Sequence, residues 1–175
     1  TLMVSTIFPI YFNSLAESAG ISDVNYLAYW GYATSICTLI VAILGPTLGA
    51  IADTKNFKKI IFSAAMAVGV FGCIVLGFLS SWLWFLVIFV LAKTGYSASL
   101  VFYDAMLTDV TEPERMDSVS SHGYAWGYIG SCIPFVISLV IVLGGGSVGL
   151  GTQTSMILAF IITAVWWLCS SIPLL

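Results

Sequence analysis

GAIADTKNFKK, residues 49–59, packs one aspartate and three lysines into a chain that is 60% hydrophobic and only 7% charged. Soluble domains carry about 25% charged residues, so a chain this apolar has the bilayer as its solvent. The mean hydropathy of +1.08 agrees. The charged stretch then reads as a loop between two membrane spans, and the fold follows from counting outward on both sides of it.

A helix needs roughly 20 apolar residues to cross the hydrocarbon. On that rule the chain divides into six spans, at about 1–14, 26–52, 58–79, 82–108, 119–143 and 153–175. Helices are expected throughout, because every backbone N–H and C=O must be paired inside lipid and no alternating strand pattern appears. The reading is an all-α membrane protein with six transmembrane helices in one bundle. The first span looks clipped at its start, which suggests ends set by truncation. It has neither a basic leader nor a small-residue cleavage site, so it is a poor signal peptide.

Connections between the spans are short, and GGGSVGLGT at 144–152 is a turn by its glycines. Basic residues occur in only two of them: Lys55, Lys58 and Lys59 between spans two and three, and Arg115 between four and five. Lys and Arg collect in cytoplasmic loops, so both of these loops and both termini are expected inside. No basic stripe exists for nucleic acid. Cys37, Cys73, Cys132 and Cys169 stand alone in apolar runs and read as small buried hydrophobes.

Orientation explains the lysines but not Gly49 and Asp53. Gly49 permits close approach of a neighbouring helix, and Asp53 can accept hydrogen bonds from a helix N-terminus. The lysines can pair with an acid at the end of another span, Asp109 being the obvious one. Here the chain resembles the loop signature of the major facilitator superfamily, G-x-x-x-D-R-x-G-R-R. Gly49, Asp53 and Lys58 match it, Lys55 falls one place late, and Thr54, Asn56 and Phe57 depart from it. The stretch LVFYDAMLTDVTEPERMDSVSSHGYAWGYIG, residues 100–130, and TIFPIYF, residues 6–12, resemble one branch of that superfamily: the vacuolar amino-acid effluxers linked to autophagy and their bacterial relatives. The resemblance implies a twelve-span secondary transporter of which this chain is the N-terminal half, built as a 3+3 inverted repeat. It also implies a bacterial inner membrane, a small solute such as an amino acid, and a C-terminal six-span half as partner. The alternative reading is a six-span membrane protein that works without that half by pairing with a second copy of itself.

Lys93 and Asp104 are the intramembrane charges. Each costs about 2.5–3.5 kcal/mol at a helix centre, so each is a candidate working residue. They are eleven residues apart, three turns of helix and about 16 Å along the axis, hence on one face but out of pairing range. Tyr96, Ser97 and Thr108 share that stripe, with Leu100 interrupting it. Lys93 at mid-depth suits an anionic substrate group, and Asp104 a coupling proton or an inner gate. The competing reading for both is a structural ion pair. Tyr124 and Tyr128, four apart on span five, share a face that can line the same cavity, although such aromatics are often anchors. Trp166 and Trp167 read as lipid-facing or interfacial, Asn13 as hydrated at the outer end, and His122 as a cap beside Ser120 and Ser121. The pairs Gly45/Gly49 and Gly123/Gly127 suit close helix crossings, and Pro46 and Pro134 bend the same two spans. One histidine, scattered cysteines and no H-E-x-x-H motif leave little from which to build an enzyme or a metal centre, and no cofactor is expected.

Overall fold

The computed structural model describes residues 2–52 and 57–174. They form six α-helices: α1 (Leu2–Ser18), α2 (Asp23–Ala52), α3 (Lys58–Phe78), α4 (Trp82–Val110), α5 (Met116–Gly144) and α6 (Thr152–Ser171). Short 3₁₀ turns at Pro113–Arg115, Gly145–Val148 and Ile172–Leu174 fill the remainder, and no strand occurs among the described residues. The helices follow the apolar runs, with ends within about four residues of the sequence expectation. Of the glycine loop, Gly145–Val148 is helical, and only Gly149 takes a left-handed φ, of 78°.

Five helices, α2 to α6, are long and apolar enough to cross a membrane. The first helix has 17 residues, a little under the roughly 20 that a span needs. It runs on through Pro9, with Ile7, Phe12 and Ala16 fully buried. It packs against α2, α4 and α5, and α3 packs against both α4 and α6.

Between apolar helices in lipid, association comes from close packing rather than from water exclusion. Aromatic rings supply much of it. Phe8 lies 4.7 Å from Phe160, Tyr11 5.5 Å from Phe85, Phe12 5.8 Å from Trp30, and Trp30 4.5 Å from Phe89, centroid to centroid. Each such pair is worth about 0.5–1.5 kcal/mol beyond its buried area. The Tyr11 hydroxyl also donates to the carbonyl of Leu79 at 2.9 Å, tying α1 to the turn after α3.

Small residues supply the rest, at positions other than those expected. Nothing lies within 4 Å of where a Cβ would stand at Gly45, Gly49 or Gly127, and at Gly123 it would meet only the Tyr103 hydroxyl, at 3.6 Å. The close crossing is instead α3 on α4. A Cβ at Gly95 would stand 2.9 Å from the Ala65 carbonyl and 3.1 Å from the Gly69 nitrogen, and one at Gly72 would stand 2.7 Å from the Ala92 Cβ. The periodic pairs lie on α2 and α5, whose faces this chain leaves open. Two further expectations change for the same reason of placement. Cys37 and Cys73 are buried, but Cys132 and Cys169 are exposed. The Asn13 carbonyl oxygen is buried without a hydrogen-bond partner rather than hydrated.

Candidate functional site

Between α4 and α5 runs a groove that opens into two adjoining cavities. The first has a volume of about 470 Å³ and is lined by Asp104, Tyr103, Tyr124, Tyr128 and Ser120, among others. The second, of about 400 Å³, is lined by Lys93, Phe89, Trp126, Trp166, Trp167 and their neighbours. Tyr96, Gly127 and Ser131 belong to both walls. The two intramembrane charges therefore occupy successive chambers of one groove.

Helix geometry explains the alignment. Lys93, Tyr96, Leu100, Tyr103, Asp104 and Leu107 of α4 line the two chambers, a set that recurs every three or four residues as one helical face requires. Leu100 is thus part of the wall, whereas Ser97 lines neither chamber. The side chain of Thr108 lies outside the described residues.

Lys93 starts about 16 Å along α4 from Trp82, near the middle of a span. Its Nζ stands 5.7 Å from the centroid of the Phe89 ring, one turn earlier. That ring is fixed in turn by Phe8, 5.9 Å away, and by Trp30. The ring face attracts the ammonium modestly, by about 0.5–2 kcal/mol. Among the described residues, no carboxylate lines the Lys93 chamber. The structural ion pair, the competing reading of Lys93, has no partner on those walls.

The tryptophans correct the sequence reading. Trp166 and Trp167 line the Lys93 chamber instead of standing only against lipid. Trp167 is held there by a gap at Gly69, where a Cβ would collide with its ring. From that seat its indole meets Tyr96 edge-on, at 5.5 Å and 77°. A signal for this existed in the sequence, since Ala65, Gly69 and Gly72 form a small-residue stripe on α3, but nothing marked its occupant. His122 is likewise corrected. It sits exposed in the second turn of α5, its Nδ1 2.7 Å from the Ser118 carbonyl, and the N-cap residue of that helix is Arg115, which makes no side-chain cap hydrogen bond.

The charged end of the bundle is described in part. Asp53 and Lys55 lie outside the described residues, as does the side chain of Asp109. Lys58 is buried, and its Nζ donates to the Ala105 carbonyl at 3.3 Å, one turn before Asp109. Lys59 is exposed, and Gly49 has open space beside it.

A chain whose described residues are helical, with five helices long and apolar enough to cross a membrane and a groove holding opposite charges, is an integral, multi-pass membrane protein. The profile of a family described as vacuole effluxer Atg22 like matches residues 14–114 and 107–175. The chain belongs to that family. It is also 39% identical over 178 residues to an uncharacterized MFS-type transporter, YxiO, of Bacillus subtilis, in an alignment covering 99% of this chain and 42% of the relative. The chain thus spans less than half the length of that relative. No solved structure matches it.

Proposed function

We propose that this chain is one half of a secondary active transporter that moves a small polar solute by alternating access in a bacterial inner membrane. The two chambers carry the reading. A lysine and an aspartate, both costly in lipid, stand on one helix face in adjoining cavities rather than against each other. Lys93 contacts the anionic group of the solute. Asp104, nearer the lysine-rich end, carries the coupling ion or gates the inner mouth. Tyr96, Tyr124 and Tyr128 shape the passage between them.

The second half is a further six-span bundle, as the length of the relative suggests. It covers the open faces of α2 and α5, on which Tyr124, Trp126 and Tyr128 are 60–69% exposed. The set Gly49, Asp53, Lys55, Lys58, Lys59 and Asp109 forms the cytoplasmic gate, with both termini of this chain inside. The contact from Lys58 to α4 supports that role, since it joins the loop to the helix carrying both working charges. A second copy of the chain on the same open faces is the other reading.

The experiment is uptake by the complete protein in proteoliposomes with Lys93→Met. Methionine keeps the length and removes the charge, so transport is expected to fall at least tenfold. Transport kinetics equal to wild type would take Lys93 out of the site.

A further inference from the structure

Among the described residues, the Lys93 chamber is lined by one sign of charge and a large aromatic surface. Its other described polar side-chain groups are the hydroxyls of Tyr96, Ser131, Thr163 and Ser170, the Cys73 thiol and the indole N–H groups. None of them neutralises an ammonium. Its remaining walls include the indoles Trp126, Trp166 and Trp167. The carboxylate of the groove, Asp104, belongs to the other chamber, beyond Tyr96 and about 16 Å along the helix. In an α-amino acid the ammonium and the carboxylate sit on the same carbon, so one molecule cannot reach both charges at once.

We infer that this chamber selects an aryl carboxylate, a net anion with a flat ring, over the zwitterionic amino acid of the same size. The inference rests on the transport reading above. The carboxylate meets the Lys93 ammonium between aromatic walls, and a hydrogen bond between two charged groups is about twice as strong as a neutral one. The ring stacks among the indoles, offset or edge-on as aromatic pairs prefer. An added α-ammonium loses its hydration and finds no carboxylate among the chamber's described residues, which is costly. Indole faces return part of that cost but not all of it. The volume of about 400 Å³ is within the usual range for small-molecule sites.

Three probes isolate the charge, because they share a ring and a chain of similar length: hydrocinnamate, phenylalanine and phenethylamine. Binding to the complete protein in nanodiscs is read by the tryptophan fluorescence of the chamber walls. Hydrocinnamate is expected to bind at least tenfold more tightly than phenylalanine, with phenethylamine weakest. Lys93→Met should remove most hydrocinnamate binding, and Lys93→Arg should retain it. Phenylalanine binding as well as hydrocinnamate, an unaltered affinity in Lys93→Met, or no binding of any of the three overturns the inference. Counterflow in proteoliposomes with a broad solute mixture separates the two readings. Exchange of some other solute without binding of these probes removes only the aryl-carboxylate assignment, whereas failure to exchange any solute removes the transport reading itself.

Discussion

Lys93 and Gly95 sit two positions apart on α4 and serve opposite ends of the same design. Lys93 faces the groove, its ammonium over Phe89. Gly95 faces away from it, against the backbone of α3, where a Cβ would stand 2.9 Å from the Ala65 carbonyl and 3.1 Å from the Gly69 nitrogen. Backbone cannot move aside as a flexible side chain can. Gly95→Val therefore forces α3 and α4 apart, and overpacking of this kind costs about 1–3 kcal/mol. The expected result is a clear drop in the thermal midpoint of the purified protein. Gly130→Ala is the control, because its Cβ meets nothing within 4 Å in this chain. A Gly95→Val protein as stable as wild type would mean that the two helices do not cross this closely. The same substitution should disturb the site indirectly, since the neighbouring gap at Gly69 seats Trp167 against Tyr96.

At the scale of the helix, the sequence was legible where chemistry is periodic. Hydrophobic run length located all six helices, and the eleven-residue interval put Lys93 and Asp104 on one face before any packing was known. What stayed hidden depends on the neighbours a face meets. Glycine spacing cannot say whether a helix approaches: Gly45/Gly49 has the pattern but an open face, whereas Gly69 and Gly95 bear the contact. Trp166 and Trp167 carry no charge that would point them to a cavity, and run length alone does not show that the side-chain oxygen of Asn13 is buried. On α4 itself the two charges should separate in their effects. Over about 16 Å at an effective dielectric near 20, removing Asp104 changes the energy of an anion at Lys93 by only about 1 kcal/mol. Asp104→Asn should thus tighten binding in the Lys93 chamber by no more than about fivefold. If Asp104 carries the coupling ion, the same variant loses gradient-driven accumulation yet keeps solute exchange. Accumulation at the wild-type level in Asp104→Asn would exclude a coupling role.

For the whole molecule, the open faces of α2 and α5 pose a solvent problem. Apolar residues there, such as Ile43 and Val140, are at home in lipid. Ser121, His122, Tyr124 and Tyr128 on α5 are exposed too, and polar groups facing hydrocarbon are disfavoured. The Asp104 chamber is likewise walled on one side by this face. A bundle that ended here would leave its groove open along its length. A second bundle laid across α2 and α5 would close the groove into a passage and give the glycines of α2 something to meet. Gly45 tests that arrangement, because it lines neither chamber and a Cβ there would meet nothing within 4 Å among the described residues. In this chain alone Gly45→Leu is expected to be harmless or mildly favourable, since leucine is the better helix former by somewhat under 1 kcal/mol. If a second bundle seats on this face, Gly45→Leu in the complete protein should instead lower the thermal midpoint and the transport rate, because the added side chain enters that seam. If stability and transport are both unchanged in Gly45→Leu, that part of α2 faces lipid, and the second bundle must seat itself on α5 without it.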